Sequence, residues 1–330
     1  MRKYQTENLR DVIILSQSGT GKTSLGEAML FNAKVTTRLG KVLDGNSVLD
    51  FEPEEQKRQS SIFSTLHNYK WKTSGVQILD TPGDNNFASE VILGLKSTDN
   101  ALFVIDAIDS IKPHTENLWT MACDEGLARL CFINKMDRER ADFDQVLSDI
   151  SEIFEIKPLV LTLPIGAEDS FTGVVDVLNQ KAYIYEKTGS GKFTEADVPS
   201  DMKDKLDEVY NQVVEDLAEV DDVLMEKYLE GETLSREELT TALSAGVTKG
   251  EFLPVFSGSA LLNMGIQPLM DFINASCISP KQRVLPELKN KEGETKTLEA
   301  KEDEIFCGYV FKTMSDPYTG TLSVIRCFSG

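Results

Sequence analysis

Short apolar runs alternate with amphipathic runs through the first half of the chain. Continuous apolar stretches of strand length occur at residues 12–15, 101–105 and 130–133, and a further β-rich run, interrupted only by Gln77, occurs at 76–79. Apolar residues at helical spacing follow Lys22, and they recur further on at Phe143, Leu147, Ile150 and Phe154. This alternation predicts an α/β domain with a doubly wound, mostly parallel sheet.

The pattern changes near residue 158. Short runs with β-branched and aromatic residues at 172–176 and 182–185 predict antiparallel strands. One long helix is expected from about Ser200 to Leu229, and its apolar stripe is formed by Leu206, Tyr210, Val213, Leu217, Val220 and Leu224. We therefore predict an α+β subdomain at residues 158–252, inserted between two parts of the α/β domain, residues 1–157 and 253–288.

The last segment carries strand signals of a different kind. A charged linker is expected at residues 289–304, followed by two β-rich runs at 305–312 and 321–328 that are joined by turn residues at 315–320. A lone hairpin leaves two strand edges unpaired. We therefore expect residues 305–330 to begin a β-barrel domain, and to be mobile unless another part of the molecule covers an edge.

A loop with two glycines joins the first predicted strand to the helix that begins at Lys22. Its sequence fits x-x-x-x-x-G-K-[ST], a pattern that binds nucleotide phosphates when it follows a buried strand and opens a helix. Flexible glycines let backbone amides surround phosphate oxygens at the helix N-terminus. Lys22 would reach the β and γ phosphates, and the Thr23 hydroxyl would bind Mg²⁺. The predicted phosphate-binding residues of this loop are Ser16, Gln17, Ser18, Gly19, Thr20, Gly21, Lys22 and Thr23.

Two further segments are expected to contact Mg²⁺ and the γ-phosphate. Asp80 follows the predicted strand at 76–79, and its carboxylate would hold a water bound to Mg²⁺. The Gly83 N–H, three residues on, would contact the γ-phosphate. Residues 41–61 show many charges and no apolar period. A long segment without regular structure inside a compact domain is usually functional, so we expect a switch loop there.

The identity of the base is predicted by two motifs that also follow strands. A carboxylate at Asp137, after the strand at 130–133, can accept hydrogen bonds from both N1–H and the amino group of guanine. Adenine has no such donor pair, and an unpaired buried carboxylate is costly, which argues against the alternative of a P-loop kinase or ATPase. A loop after the apolar run at 253–256 would donate a backbone N–H to the guanine carbonyl. The predicted guanine-binding residues are Asn134, Lys135, Asp137, Ser259 and Ala260.

Composition narrows the possible partners. The 330 residues carry a formal net charge of -20, which argues against a general RNA-binding protein because nucleic acids favour basic surfaces. Five scattered cysteines without a CxxC pair fit a reducing cytoplasm and argue against disulfides or zinc. His67 and His114 have no metal-ligand spacing and are expected on the surface or in loops. Apolar runs are too short to cross a bilayer, so we expect a soluble protein.

Several stretches of the chain are similar to elongation factor G. They are residues 134–138 with 141–143, 163–168 with 171–176, 224–229, 258–260 with 265–269, and 311–312 with 316–317. The resemblance covers nearly the whole chain, including the inserted subdomain. It implies a cytoplasmic, ribosome-stimulated GTPase that uses GTP, GDP and Mg²⁺ and drives tRNA and mRNA movement. Its implied partners are the factor site of large-subunit rRNA and the ribosomal stalk protein, with the factor acting as a monomer.

The resemblance also reveals three departures from the family pattern. Ser61 matches the switch threonine that binds Mg²⁺, and the exchange keeps the hydroxyl. Gly19 replaces an aspartate of the phosphate loop, and Asp84 replaces the histidine that positions the attacking water. The chain is therefore similar to divergent, second copies of elongation factor G. Two alternatives stay open: a factor that binds GTP and the ribosome with little hydrolysis, and a GTPase of ribosome protection or release.

The long predicted helix carries an acidic face opposite its apolar stripe. This face is formed by Glu215, Glu219 and Asp222. A merely solvated surface is one interpretation. The resemblance to elongation factor G implies another, in which the three carboxylates meet lysines of the stalk protein.

Overall fold

The computed structural model describes residues 4–285, 287–289, 293, 295–296, 298–316 and 320–330. Within them the chain forms fifteen strands, of which the first six are β1 (Leu9–Leu15), β2 (Thr65–Trp71), β3 (Ser74–Asp80), β4 (Asn100–Asp106), β5 (Ala128–Asn134) and β6 (Lys157–Val160). The others are β7 (Thr162–Ile165), β8 (Gly173–Asp176), β9 (Lys181–Tyr185), β10 (Phe193–Ala196), β11 (Phe252–Ser257), β12 (Leu288–Lys289), β13 (Thr295–Lys296), β14 (Cys307–Asp316) and β15 (Gly320–Ser329).

Nine α-helices connect these strands in the described part of the chain. They are α1 (Lys22–Asn32), α2 (Pro53–Arg58), α3 (Ala88–Ser97), α4 (Pro113–Asp124), α5 (Phe143–Ile153), α6 (Lys203–Ala218), α7 (Asp222–Leu229), α8 (Arg236–Lys249) and α9 (Ile266–Ser276). Among the described residues, no helix combines the length and the apolar character that a membrane crossing requires.

The main sheet has seven strands in the order β2-β3-β1-β4-β5-β11-β6. All neighbours pair in parallel except β2, which pairs antiparallel with β3. All seven residues of β4 are buried, as expected of a strand covered by helices on both faces. The predicted α/β fold is confirmed. The connections reverse direction at β1, and in such sheets ligands bind beside the carboxyl ends of the strands at this point.

A second sheet lies between β6 and β11 in the sequence. It is antiparallel, with the order β10-β9-β8-β7. The predicted division at residue 157 stays a prediction, but β6 pairs in parallel with β11 and so belongs to the main sheet. The separate sheet therefore begins at β7, and a single residue, Leu161, separates β7 from β6.

The single long helix predicted from about Ser200 to Leu229 is wrong. The chain forms α6 and α7 instead, because the Asp221 side chain accepts hydrogen bonds from the backbone N–H groups of Val223 (2.9 Å) and Leu224 (3.2 Å) and caps a new helix. The predicted apolar stripe is buried in α6 at Leu206, Val213 and Leu217.

Residues 41–61 contain more regular structure than expected. Val42–Asp44 forms a turn of 3-10 helix, and α2 begins at Pro53. A proline at the first helical position, acidic residues in the first turn and Lys57 with Arg58 in the last turn all favour this short helix. The segment lacks an apolar period because the helix is only six residues long.

The C-terminal hairpin of β14 and β15 matches the prediction of an antiparallel start of a barrel, although both strands are longer than expected. Its predicted turn includes residues 317–319, which lie outside the described residues. The expected mobility was conditional on uncovered edges, and β14 packs against α3. Lys312 donates a hydrogen bond to the Ser64 carbonyl, and Arg326 is ion-paired with Asp99 (2.8 Å) and with Asp11. The α/β domain therefore holds the hairpin at two places.

Candidate nucleotide-binding site

The predicted site residues meet at one end of the main sheet. The loop at residues 16–21 follows β1, Asp80 ends β3, Asn134 ends β5, and the loop at residues 258–264 follows β11. These strands are parallel, so their carboxyl ends lie on the same edge. Four motifs that lie far apart in the sequence are thereby brought together.

The phosphate loop is folded around the Lys22 side chain. Lys22 Nζ donates hydrogen bonds to the carbonyl oxygens of Ser16 (3.0 Å) and Gln17 (2.9 Å), so the ammonium lies inside the loop. Gly21 has a φ of 95°, and a Cβ there would lie 2.4 Å from Asn134 Nδ2. Both the left-handed conformation and the close approach require glycine at Gly21.

The first residues of the loop are fixed by α4. The Gln17 N–H donates to the Thr115 hydroxyl (3.0 Å), and the Gln17 side-chain amide donates to the Ser110 carbonyl (3.1 Å). Thr20 donates to the Gln17 carbonyl (3.3 Å), while Ser18 is exposed. Sequence reasoning missed Thr115, because a single hydroxyl 98 positions after Gln17 gives no signal in the sequence.

Gly83 lies directly against the phosphate loop. A Cβ at this position would come within 2.4 Å of Lys22 Nζ and 2.6 Å of the Ser18 nitrogen. The absence of a side chain is therefore needed for this segment to approach the loop. This placement is the one that the predicted contact between Gly83 and the γ-phosphate requires.

Three of the predicted Mg²⁺ residues form one hydrogen-bonded cluster. The Thr23 hydroxyl donates to Asp80 Oδ2 (2.7 Å) and lies 3.1 Å from the Ser61 hydroxyl. Ser61 in turn donates to Asp50 Oδ1 (2.7 Å), a residue that sequence reasoning missed. Asp80 Oδ1 and Asp50 Oδ2 are both buried and find no hydrogen-bond partner among the described residues.

The buried charges of this cluster are incompletely compensated. Burial raises the pKa of Asp50 to about 6, and the neighbouring charges of Glu55 and Glu27 act in the same direction. Burial and the charge of Asp50 also raise the pKa of Asp80, whereas burial lowers the pKa of Lys22. Oxygen atoms of carboxylates and hydroxyls are the ligands that Mg²⁺ prefers, so the cluster fits this ion.

Two further buried carboxylates hold in place the predicted switch loop (residues 41–61) and the residues just after it, together called the switch segment. Glu27, on α1, accepts hydrogen bonds from the Ser47 hydroxyl (2.6 Å) and the Val48 N–H (2.6 Å). Glu55, on α2, accepts from the N–H groups of Ile62 (2.9 Å) and Phe63 (3.0 Å). A glutamate within the apolar face of a predicted helix was the one signal in the sequence that could have identified Glu27.

Asp84 caps a turn of 3-10 helix in front of α3. Its Oδ1 accepts hydrogen bonds from the backbone N–H and the side-chain amide of Asn86, both at 2.9 Å. His114 lies in the first turn of α4 and is partly exposed. Burial lowers the pKa of His114, the charge of Lys22 lowers it further, and the charge of Asp84 opposes both.

The predicted guanine-binding residues are also connected to the phosphate loop. Asn134 Nδ2 donates to the Thr20 carbonyl (2.8 Å), and Asn134 Oδ1 accepts from the Ala260 N–H (2.8 Å). The Lys135 ammonium pairs with Asp106 (2.5 Å). Beside them lies a cavity of about 320 Å³, lined by Gly19, Gly21, Leu43, Asn134, Lys135, Asp137, Ser259 and Ala260. This volume accommodates a purine base.

The three acidic residues predicted to face a partner lie on the segment between β6 and β11, and none of them lines this cavity. Glu215 is on α6, Glu219 follows the end of α6, and Asp222 begins α7. Lys157 lies between the buried Asp216 (2.5 Å) and Glu219 (3.5 Å), and neutralises part of the face. The face is therefore spread over two helices instead of one.

The fold and the loop around Lys22 define the class of the protein: an α/β P-loop domain of the GTPase type. The model of the elongation factor Tu GTP binding domain family matches residues 7–279, and the chain belongs to this family. A crystal structure of a protein from Thermus thermophilus superimposes with a TM-score of 0.85 at 29% sequence identity. The match covers 97% of this chain and 45% of the Thermus chain, so this chain spans less than half the length of that relative.

Proposed function

We propose that the site binds GTP and GDP with Mg²⁺ and hydrolyses GTP, as part of a translation factor of the elongation factor G type. The observation that carries this proposal is the meeting of the phosphate loop, the Thr23–Asp80 cluster and the Asn134–Ala260 contact at one edge of the main sheet. Membership of the elongation factor Tu GTP-binding family supports guanine as the base. The inserted subdomain between β6 and β11, together with the sequence resemblance, supports the elongation factor G type.

In the proposed reaction, a water oxygen attacks the γ-phosphorus, the bond to the β–γ bridging oxygen breaks, and GDP and inorganic phosphate leave. Lys22 and the backbone amides of residues 17–21 would neutralise the charge that develops on the phosphate oxygens. Thr23, Ser61 and Asp80 would hold Mg²⁺, which adds further positive charge to the β and γ phosphates when bound. Asp137 would accept the two guanine hydrogen bonds, and Ser61 would couple nucleotide state to the switch segment.

The second candidate is a factor that binds GTP but hydrolyses it slowly, and Asp84 favours it. A carboxylate at roughly 5 Å from a phosphate charge is repelled by about 3 kcal/mol at an effective dielectric constant of 20. Both hydrogen bonds to Asp84 Oδ1 come from Asn86, so the side chain already has a structural partner. Phosphoryl transfer gains little from early deprotonation of water, so an aspartate is a poor substitute for a positioning histidine.

Single-turnover hydrolysis at saturating ribosomes distinguishes the two candidates. We expect Asp84→His in the full-length protein to raise the ribosome-stimulated rate, while GTP affinity stays within about twofold of wild type. Asn86→Ala, which removes one of the donors to Asp84, serves as a control for disturbance of the turn. A fast wild type with a slower histidine variant would make Asp84 a working catalytic residue and overturn the second candidate.

We further propose that the acidic face of α6 and α7 binds a basic partner, which for an elongation factor G is the stalk protein. Glu215→Lys, Glu219→Lys and Asp222→Lys together should slow association with ribosomes several-fold at low salt, and the deficit should shrink as salt is added. Stopped-flow binding measures this rate. Charge reversal of Glu195 and Asp197, at β10 and outside this face, is the matched control. Equal rates at low salt would leave the face as a solvated surface.

A further inference from the structure

Three amide side chains form a cluster behind the loop predicted to contact guanine. Asn32, the last residue of α1, donates from Nδ2 to Asn263 Oδ1 (2.6 Å). Asn263 Nδ2 donates back to Asn32 Oδ1 (3.3 Å), and Gln267 Nε2 donates to the same oxygen (3.0 Å). The cluster therefore ties the phosphate-loop helix to α9 and to the loop before it.

Asn263 is part of the loop that follows β11. Its side chain is buried, and its φ of 56° is a left-handed conformation that asparagine adopts more readily than most residues. One backbone bridge closes the loop that contains Asn263: Ser259 and Met264 exchange two hydrogen bonds of 3.0 Å. Fixing Asn263 thus fixes the shape of residues 259–264, of which Ser259 and Ala260 line the cavity.

The inserted subdomain closes the cluster from the outside. The carbonyl oxygens of Gly189 and Gly191, in the connection between β9 and β10, accept from Asn263 Nδ2 (3.4 Å) and Gln267 Nε2 (2.7 Å). Tyr185, on β9, donates its hydroxyl to Gln267 Oε1 (3.0 Å). A Cβ on Gly191 would lie 2.5 Å from both Asn263 Nδ2 and Asn32 Oδ1, so the backbone is pressed against the amides.

We propose that Asn263 is a positioning residue for guanine recognition, and that the 189–191 loop of the inserted subdomain clamps it. The clamp holds the 259–264 loop in the shape that places Ala260, whose N–H donates to Asn134 Oδ1 (2.8 Å) in this structure, at the wall of the cavity where the guanine carbonyl would bind. A partner that pulls on the inserted subdomain would loosen this contact and speed nucleotide release. The inference rests on the proposed guanine site, and it concerns residues that lie behind the cavity and outside the predicted contacts.

The test compares GDP with the diphosphate of 2-aminopurine riboside, which keeps the amino group but lacks both the carbonyl oxygen and the N1–H; the contact of Asp137 with N1–H is lost equally in wild type and variant. In the 330-residue chain, Asn263→Gly removes the amide without imposing strain at positive φ. Loss of two or three neutral hydrogen bonds should raise the GDP dissociation rate about tenfold and lower the preference for GDP over the analogue by a similar factor. A purely structural role would lower the melting temperature and leave the preference unchanged, which would overturn the proposal.

A matched pair of variants tests the clamp from the side of the inserted subdomain. Tyr185→Phe removes the hydroxyl that orients Gln267 and should speed GDP release about two- to threefold. Tyr183→Phe is the same change two residues earlier on β9, where the hydroxyl contacts Asp176 (3.5 Å), and should have no effect. Equal effects of the two variants, or none in Tyr185→Phe, would contradict the clamp. If the wild type shows no preference for GDP over the analogue, the guanine site itself is wrong.

Discussion

Buried carboxylates lie at both ends of the main sheet, and the structure treats them differently. Asp99, just before β4, is fully buried and receives Arg326 Nη2 on both oxygens (2.8 and 2.9 Å), with Arg283 at 3.6 Å. Asp80, at the end of β3, is equally buried, but only one of its oxygens has a partner among the described residues. Both residues are buried aspartates. Asp99 is paired on both oxygens and holds the fold together, whereas one oxygen of Asp80 remains available for a ligand.

The difference indicates which buried charges are functional. A buried charge is costly unless it is paired and hydrogen-bonded, so native structures complete such pairs wherever only stability is required. Asp99 is completed by Arg326 of the hairpin and thereby anchors β15 to the α/β domain. Asp80 and Asp50 keep unpaired oxygens beside the predicted Mg²⁺ site. Arg283 Nε also lacks a partner among the described residues, so it is the unpaired carboxylate oxygens of Asp80 and Asp50, which can bind a cation, that distinguish this edge of the sheet.

The largest expected effect comes from removing the completed charge. Asp99→Ala removes the carboxylate that Arg326 and Arg283 share and leaves Arg326 with Asp11 alone, so it should reduce the free energy of unfolding by about 3 kcal/mol. Urea denaturation followed by circular dichroism measures this loss. Nucleotide affinity of the folded fraction should stay within about twofold of wild type, since Asp99 lies at the opposite end of the sheet. A loss below about 1 kcal/mol would contradict the structural role given to Asp99.

Asp80→Asn tests the buried carboxylate at the opposite end of the main sheet, beside the predicted Mg²⁺ site. The amide removes an uncompensated negative charge, so the free energy of unfolding of the nucleotide-free protein should not fall. The affinity for GDP in the presence of Mg²⁺ should fall by at least about tenfold, because the carboxylate that would hold the ion's water is lost. Titration of a fluorescent GDP analogue with Mg²⁺ and with EDTA separates the two contributions. Destabilisation as large as that of Asp99→Ala would show that Asp80 is a structural residue.

Local patterns in the sequence were enough to predict the strands that carry the site. The apolar runs before the phosphate loop, Asp80 and Asn134 are strands of a parallel sheet, whose burial on both faces leaves a clear hydrophobic signal. Motifs at the ends of such strands converge for topological reasons, so they could be combined without a structure. The break at Asp221 was missed because an apolar stripe continues across it, although an aspartate before Val223 and Leu224 is an ordinary helix cap.

Contacts over long separations in the sequence could not be predicted. Thr115, Asp50 and Glu27 contact the phosphate loop or the switch segment as single polar residues in otherwise ordinary helices and loops. Asn32 and Asn263 lie 231 positions apart, and no pattern in the sequence indicates that their side chains are hydrogen-bonded. The hairpin was expected to be mobile unless another part of the molecule covered an edge. The contact that holds it could not be predicted, because the partner of Arg326 lies 227 positions away. Such pairings depend on the packing of the whole chain.

Glu90 is a third carboxylate, to be compared with Asp99 and Asp80. Of the three substitutions, that of Glu90 is expected to have the smallest effect. It is on α3, partly exposed, and accepts from the Ser64 N–H (2.8 Å) and hydroxyl (2.6 Å), with Lys312 of the hairpin at 3.5 Å. Burial opposes ionisation, but the hydrogen bonds from Ser64 and the charge of Lys312 outweigh it and hold the pKa of Glu90 below its ordinary value. All three partners bind Oε2, and they connect the segment after Ser61, α3 and the hairpin, which favours a structural role for Glu90.

Glu90→Gln should therefore cost about 1 kcal/mol or less at neutral pH, since a partly exposed ion pair is weak and the amide oxygen still accepts from Ser64. The sign of the pH dependence follows from the lowered pKa. The stabilisation is fully present above the pKa of the unfolded state and is lost as the pH falls through the lower pKa of the folded state. The difference in unfolding free energy between wild type and Glu90→Gln should thus shrink in acid. Glu54→Gln, in the exposed pair with Arg58 (3.1 Å), is the control and should show almost no difference at any pH. A Glu90→Gln deficit that is the same at neutral and acidic pH would mean that packing, and not charge, connects the hairpin to α3.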